Sequence, residues 1–211
     1  MSDARPTVFV VDDDISVRRS LQLLLESAGW DSETFASAPE FLARPRVSAP
    51  SCLVLDVVLP NVNGFDLQTL VADRSDMPII FISGHGDVPV AVRVMKAGAL
   101  DFLTKPVVDD ILLLAIKKAI DQSQRQLETE AELRALRECH ASLSRREKEV
   151  MLLVVSGLLN KQVGGELRIS EITVKAHRGR MMQKMKATSF ASLVMMASQL
   201  RLITAGRPGT R

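Results

Sequence analysis

Short apolar runs that alternate with helical patterns constrain the fold of the first 120 residues more than any other feature. A helix ended by Gly29 is predicted after the first run, because apolar residues recur there on one helix face. Alternation of this kind predicts parallel β-α-β units, and continuous apolar runs are typical of doubly covered strands. We therefore expect a doubly wound sheet of five parallel strands. The predicted strands are residues 7–11, 32–35, 51–56, 78–83 and 100–103, with 32–35 the weakest.

Helical patterns fill the rest of the chain. Residues 108–140 contain neither glycine nor proline, which predicts one long helix or two abutting helices. Short helices joined by tight turns follow and predict an all-α helix-turn-helix domain. Four helices are expected in it: the first begins at a capping box formed by Ser144 and Glu147, the next two are capped by Asn160 and Ser170, and the last begins at about Ser189.

Charge divides the chain in the same places. The net charge is −5 over residues 1–120, −2 over 121–140 and +9 over 141–211. An acidic front and a basic back predict two domains with different partners, and the basic surplus favours a polyanion. The predicted boundaries are 1–122 for the sheet domain, 123–141 for a helical linker, 142–204 for the helix-turn-helix domain and 205–211 for a disordered tail.

Nothing in the sequence predicts a membrane segment or secretion. The longest apolar run is about as long as ILLLAI, at residues 111–116, and spanning a bilayer takes about 20 residues. The start, MSDARPT, has no apolar segment typical of a secretory signal. Cys52 and Cys139 fit neither a disulfide nor a metal pattern. We therefore expect a soluble, cytoplasmic protein without membrane contacts.

Three aspartates, Asp12 to Asp14, end the first predicted strand. They are either a solvated loop that caps the next helix or a site for a divalent cation. The other strand ends favour the cation site, because ligands bind at the carboxyl edge of a parallel sheet. Crowded carboxylates are unfavourable without a cation, so Asp13 and Asp56 are predicted metal ligands with Asp12 nearby. The same edge receives Asp56, Ser83 and Lys105.

Five motifs together resemble a two-domain bacterial response regulator of the FixJ/NarL class: VVDDD, LVLDVVLPNVNG, ISGHGDVP, KAGALDFLTKP and LSRREKEVMLLVVSGLLNKQ…ISEITVKAHR. Such proteins join a flavodoxin-like receiver domain to a LuxR-type helix-turn-helix. The resemblance covers nearly the whole chain. It implies that Asp56 receives a phosphoryl group from a sensor histidine kinase. It also implies that Asp13, Asp56 and the main-chain carbonyl of Val58 hold Mg²⁺ or Mn²⁺, while Asp12 places a metal-bound water.

The resemblance further implies that Lys105 and Ser83 bind phosphoryl oxygens and that the Lys105–Pro106 bond is cis. Phe102 resembles the switch aromatic of the family. Each residue also has a simpler interpretation. Lys105 alone is a solvated loop lysine, Ser83 a hydroxyl at a strand end, and Phe102 a packing residue.

The third helix of the basic domain is the expected recognition helix. Val174, Met181 and Met185 form its buried stripe when residues are spaced at 100°. A recognition helix reads bases near its N-terminal end, and the resemblance assigns base edges to Lys175 and Ala176. Gly179 either permits close approach to DNA or indicates a domain that recognises DNA sequence weakly. The simpler interpretation of any one basic residue is a solvated surface side chain. The predicted DNA-binding residues are Lys161, Thr173, Lys175, Ala176, Arg178, Gly179, Arg180 and Lys184.

A dimer interface is predicted on the fourth receiver helix. That helix has one apolar face, formed by Val88, Val92, Met95 and Ala99, which is expected to pack on the sheet. A second apolar face beside it would be unfavourable in contact with water. It is expected to be the interface of a homodimer that forms on phosphorylation. The alternative is scattered surface apolar residues. The predicted interface residues are Val90, Arg93, Val94 and Ala97.

The leading hypothesis is a phosphorylation-activated transcriptional regulator that binds promoter DNA and is not an enzyme. One rival is a phosphorylation-independent DNA-binding regulator with an inert receiver. The intact set of Asp12, Asp13, Asp56, Ser83 and Lys105 counts against it. Another rival is an aspartyl-phosphate phosphatase. Such enzymes often carry a general acid two residues after the nucleophile, where this chain has Val58.

Overall fold

The computed structural model describes residues 5–46, 48–59, 64–71, 74–84 and 88–203, with only the backbone of 64–66. The chain forms two compact units, residues 1–128 and 129–211. The strands are β1 (Thr7–Val11), β2 (Asp31–Phe35), β3 (Ser51–Asp56), β4 (Ile79–Ser83) and β5 (Asp101–Thr104). The helices are α1 (Ile15–Ser27), α2 (Ala38–Leu42), α3 (Gly64–Leu70), α4 (Val88–Lys96), α5 (Asp109–Ala141), α6 (Arg145–Val155), α7 (Asn160–Leu167), α8 (Glu171–Lys184) and α9 (Phe190–Gln199).

The five strands form one parallel sheet in the order β2-β1-β3-β4-β5, which confirms the predicted fold. The weakest strand candidate is also present, as β2. The chain order reverses direction between β1 and β3, so the carboxyl ends of these two strands flank the topological switch point. That is where Asp12 and Asp56 lie.

Two apolar clusters cover the two faces of the sheet. Alternate residues of each central strand point to opposite faces, as Phe9 and Val10 do in β1. Helices α2, α3 and α4 contribute to the first cluster, which contains Phe41, Leu67 and Val94. Helices α1 and α5 contribute to the second, which contains Leu25 and Ile116. The sheet is therefore fixed on both sides, and its carboxyl edge is a rigid platform for the site.

The predicted facing of α4 is wrong. Val94, expected outside, is 0% exposed in the first cluster, and Val90 is half-buried against it. Val88, Val92 and Met95, expected on the sheet, are 71%, 46% and 44% exposed. Arg93 and Ala97 are exposed as predicted, and Ala99, just beyond the helix, is buried as predicted.

The valines explain this error. They occupy every second position from 88 to 94, so the helix has apolar residues on more than one face and periodicity cannot select among them. The buried face of α4 is determined instead by its contacts with neighbouring elements. Gln68 of α3 is buried and donates hydrogen bonds to the carbonyls of Val94 and Ala97, which fixes one rotation of α4.

Helix α5 is one continuous helix of 33 residues, which selects between the two predicted possibilities. Its buried Ser123 accepts from the Ser51 N–H and donates to the Asp76 carbonyl, so this turn is tied to the sheet. The division between the two units falls inside the helix, and the predicted boundary at residue 122 stays a prediction. The tail at 205–211 lies outside the described residues. Across the described part of the chain, no helix is long and apolar enough to span a membrane.

The second unit begins its helices largely where the sequence predicts. Ser144 and Glu147 form the capping box, and Ser170 and Ser189 cap α8 and α9. The prediction for α7 is wrong by one residue: Leu159 is its N-cap, with the Gln162 side chain on the Leu159 N–H. The buried stripe of α8 is confirmed, since Val174, Met181 and Met185 are all inaccessible.

Gly164 in α7 has a packing reason that the sequence does not reveal. A Cβ atom at this position would lie 2.8 Å from the backbone carbonyl oxygen of Ile169, in the turn between α7 and α8. Only glycine allows this close approach, so its cost in helix propensity is offset by the tight turn. Gly165 and Gly179 have open space around them.

Candidate functional site

Three carboxylates converge at the carboxyl ends of β1 and β3. Asp12, Asp13 and Asp56 each offer an oxygen atom, and these atoms all lie within 4.8 Å of one another. Asp12 is fully buried and Asp56 is 6% exposed, whereas Asp13 is exposed. The convergence that strand ends predict is therefore present. Burial raises the pKa of Asp12, although Lys105 and the Asp14 N–H oppose this by donating hydrogen bonds.

Lys105 bridges two of these carboxylates. Its Nζ lies 2.7 Å from Asp12 Oδ2 and 2.6 Å from Asp56 Oδ2. Burial alone would lower the pKa of Lys105, but the hydrogen bonds to Asp12 and Asp56 outweigh it and raise that pKa. The Lys105 N–H donates to the Ser83 carbonyl at 2.7 Å, and the following peptide bond to Pro106 is cis, as predicted. The ammonium is thus held, charged, at the centre of the cluster.

The two interpretations of the aspartate run apply to different residues. Asp14 is the N-cap of α1, because its side chain accepts from the Ser16 N–H at 2.7 Å. Asp12 accepts from the Asp14 N–H at 2.9 Å, which orients its carboxylate toward Lys105. Asp14 is therefore a capping residue, and Asp12 and Asp13 belong to the carboxylate cluster.

Hard oxygen ligands make this cluster suitable for Mg²⁺. Three carboxylates meet there, and the two ion pairs described for the cluster both come from Lys105. One ammonium leaves a surplus of negative charge, which a divalent cation would balance. Mg²⁺ prefers a few carboxylates plus water, so the residues fit this ion.

The remaining predicted site residues lie around the cluster. The Val58 N–H donates to Asp56 Oδ1 at 3.0 Å, and its side chain is exposed. Ser83 is buried at the end of β4, one residue beyond the strand partner of Asp56. Phe102 in β5 lies opposite Phe81 and packs, half-buried, against the first cluster. Ser83 and Phe102 therefore lie on the neighbouring strands β4 and β5, and β5 contacts α4.

Sequence reasoning missed Arg18. Its guanidinium Nη1 donates to the main-chain carbonyls of Asp12 and Asp13, at 2.7 and 2.9 Å. These bonds hold the loop after β1 in the conformation that presents both carboxylates. Arg18 lies on the exposed side of an amphipathic helix pattern, where an arginine normally indicates only a solvated face, so no signal in the sequence identifies it.

The exposed face of α8 carries four of the predicted DNA-binding residues. Lys175, Ala176, Gly179 and Arg180 are all exposed on it, and Lys161 is exposed on α7. The Lys175 ammonium lies 3.1 Å from Glu171 Oε1, one turn earlier, so it is oriented along the helix surface. This face combines positive charge with two very small side chains.

Three other predicted DNA-binding residues are engaged within the second unit. The Thr173 N–H and hydroxyl both contact Ser170 Oγ in the cap of α8. Arg178 donates to Asn160 Oδ1 at 3.1 Å and stacks over the Phe190 ring. Lys184 forms an ion pair with the buried Glu147 carboxylate at 2.7 Å. These contacts compete with the predicted roles of the three side chains on DNA.

Replacing Lys184 with alanine should destabilise the second unit by about 1–3 kcal/mol, because the buried Glu147 carboxylate loses a cationic partner. The Lys184 and Ser144 hydrogen bonds lower the pKa of Glu147. A lowered carboxyl pKa contributes stability above the ordinary glutamate pKa, and this stability is lost as pH falls through the lowered value. Urea unfolding, followed by circular dichroism, should therefore separate variant from wild type at neutral pH, and the separation should shrink as the pH falls below the ordinary glutamate pKa.

The matched control is Lys161→Ala, which removes the same charge from an exposed position on α7. It should change the free energy of unfolding by no more than about 0.5 kcal/mol. An equal loss in both variants, or a Lys184→Ala effect that is unchanged in acid, would contradict the role given to the ion pair.

Two family models match the chain. "Response regulator receiver domain" matches residues 8–117, and "Bacterial regulatory proteins, luxR family" matches residues 141–197. Nodulation protein W of Bradyrhizobium diazoefficiens is 47% identical over 200 residues, covering 94% of this chain and 88% of that protein. FixJ of the same bacterium, a transcriptional regulatory protein, is 41% identical over 198 residues, covering 93% and 96%.

A solved structure shares the fold along the chain. That of the response regulator StyR is 45% identical, with a TM-score of 0.82, and the match covers 93% of this chain and 100% of that one. The matches reach both units, and the receiver match alone covers more than half of the sequence. The chain therefore belongs to the two-component response regulators that join a receiver domain to a LuxR-type DNA-binding domain, the group that includes FixJ.

Proposed function

We propose that Asp56 accepts a phosphoryl group from a sensor histidine kinase and that this modification switches on promoter binding. The observation that carries the proposal is the paired contact of Lys105 with Asp56 and Asp12 at the switch point of the sheet. A carboxylate oxygen of Asp56 attacks phosphorus, and the bond from phosphorus to the donor breaks. Lys105 then stabilises the charge on the phosphoryl oxygens, and the Ser83 hydroxyl donates to one of them.

In this proposal Asp13, Asp56 and the Val58 carbonyl would hold Mg²⁺ or Mn²⁺, with Asp12 beside them. The bound ion would neutralise charge on the transferring group. Lys105 holds Asp12 and Asp56 in place through its ion pairs, and Arg18 holds the backbone of Asp12 and Asp13. The chain's own part in the reaction is therefore positioning and charge stabilisation.

The output is DNA binding in the cytoplasm by a homodimer that forms on phosphorylation. FixJ is named a transcriptional regulatory protein, which supports regulation rather than catalysis as the role of this chain. The exposed face of α4, formed by Val88, Val92 and Met95, is the surface we assign to pairing, because it is apolar and uncovered among the described residues. Ser83 and Phe102 link Asp56 to this helix.

The proposal is tested by DNA binding with and without phosphorylation. A duplex is first selected from random sequence by the full chain in acetyl phosphate and Mg²⁺. Its affinity is then measured for the treated and the untreated chain. Tighter binding after treatment supports a phosphorylation-activated regulator. Equal binding would support the phosphorylation-independent rival, and no selected duplex would remove DNA binding as the function.

Two substitutions on α8 should separate base reading from phosphate contact. Lys175→Ala should cost about 1–3 kcal/mol on the selected duplex and reduce discrimination against random DNA, if Lys175 makes a bidentate base contact. Arg180→Ala should weaken binding to all sequences alike and flatten the salt dependence. Titrations of both duplexes at several salt concentrations give these quantities. Unchanged discrimination in Lys175→Ala would contradict the assigned face of α8.

A further inference from the structure

Ile172 is the most exposed large apolar side chain in the described part of the chain, at 80%. It lies in the first turn of α8, just after Glu171 begins the helix. The buried stripe of Val174 and Met181 lies elsewhere on the helix, so Ile172 contributes nothing to the core. A β-branched side chain on a helix is nearly fixed in one rotamer, and it can contact a partner with little loss of entropy.

Ile172 begins an apolar strip, formed with Ala176 and Gly179, along the exposed face of α8. Ala176 and Gly179 follow it at spacings of four and seven residues, which share one helix face. A Cβ atom at Gly179 would meet nothing within 4 Å, so no packing within the described chain requires glycine there. Beside the strip, Lys175 is 62% exposed and forms a surface ion pair with Glu171 at 3.1 Å, a weak contact that can be exchanged for one with DNA. The N-terminal part of this face therefore combines apolar contact at Ile172 and Ala176 with one hydrogen-bond donor, Lys175.

The chemistry of the major groove gives such a strip one matching group. Each base pair presents donors and acceptors there, and thymine adds a 5-methyl group, the apolar feature that proteins contact with small apolar side chains. The net charge of +9 on residues 141–211 favours a polyanion over an apolar protein surface as the occupant of this face. Recognition helices also insert their N-terminal residues, and Ile172 is among the first of α8.

We propose that Ile172 is a specificity-determining residue that contacts a thymine 5-methyl group. The inference rests on the proposed DNA binding through α8. Ile172 and Lys175 lie three residues apart, about 4.5 Å along the helix axis. Base pairs are stacked about 3.4 Å apart. The thymine lies within about two base pairs of the base that Lys175 contacts.

The test replaces thymine with deoxyuridine, which lacks only the methyl group. The duplex selected by the full chain in acetyl phosphate and Mg²⁺ is remade with one such change at each thymine in turn. At one thymine in each half-site, wild-type affinity should fall about fourfold, the effect of burying one methyl group. In Ile172→Ala, the penalty at that thymine should disappear while penalties at other positions remain.

Leu159→Ala is the matched control, because Leu159 is also exposed and apolar but precedes α7. It should keep the wild-type uracil penalty. A penalty that persists in Ile172→Ala, or a wild type with no penalty at any thymine, would overturn the inference and leave DNA binding intact. Failure to select any duplex would overturn the proposed function, and this inference with it.

Discussion

Replacing Asp56 with alanine should abolish phosphorylation of the chain by acetyl phosphate. Asp56 accepts from Lys105 Nζ at 2.6 Å and from the Val58 N–H at 3.0 Å, so its carboxylate is oriented by one donor on each oxygen. The neighbouring Asp12 is fully buried and accepts hydrogen bonds from Lys105 and from the Asp14 N–H. We therefore expect Asp12 to support Asp56 rather than to receive the phosphoryl group itself. Intact-mass measurement should show one phosphoryl group on the wild type and none on the variant.

Asp110→Ala provides the control, since it removes an exposed carboxylate at the start of α5. It should be phosphorylated to the wild-type extent, and a chelator of divalent cations should stop the reaction in both proteins. An adduct on Asp56→Ala as abundant as on the wild type would assign the acceptor to another residue. Phosphorylation that survives the chelator would remove the proposed metal from the reaction.

The sequence predicts this pocket well because parallel strands bring their carboxyl ends to one edge. Asp12, Asp56 and Lys105 end three different strands or follow them directly, and strand ends can be located from short apolar runs. Once the strand ends are located, the ion pairs between residues at this edge can be predicted without further information. Arg18 could not be found in this way, because its partners are main-chain carbonyls, which every residue carries.

The same limit applies to the second unit. Ser144 and Ser170 are predictable as caps, because a cap depends on residues within one turn. The pairing of Lys184 with Glu147 joins positions 37 residues apart, on α8 and α6. A basic residue on a recognition helix predicts a phosphate contact until packing shows its acidic partner. Local sequence patterns therefore do not reveal side-chain pairs between residues that lie far apart in the sequence.

Helix α4 shows the limit most directly. Its sequence VPVAVRVMK has apolar residues on several faces, so the pattern predicts the wrong face as the one that packs on the sheet. Amphipathic helices reveal their buried face because the other face is polar. Where both faces are apolar, rotation is set by contacts such as those of Gln68 with the end of α4. The exposed apolar face that remains is then the one that requires a functional explanation.

Val94→Asp should lower the free energy of unfolding of the receiver by about 4 kcal/mol or more. Val94 is 0% exposed in the first apolar cluster, where a carboxylate must be buried charged or take up a proton at a cost. Losses of this size are rare and indicate a disrupted core. Trp30, the single tryptophan of the sequence, packs against the second cluster of the same unit. Its fluorescence in urea therefore measures unfolding of the receiver.

Val92→Asp places the same charge two residues earlier, where the side chain is 46% exposed. It should cost only about 1 kcal/mol or less, since an exposed carboxylate stays hydrated. It should also prevent pairing through the exposed face of α4. Sedimentation with beryllofluoride and Mg²⁺ should then show a dimer for the wild type and a monomer for Val92→Asp. Equal stability of the two variants would contradict the facing of α4, whereas a stable Val92→Asp that still dimerises would move the interface to another receiver surface.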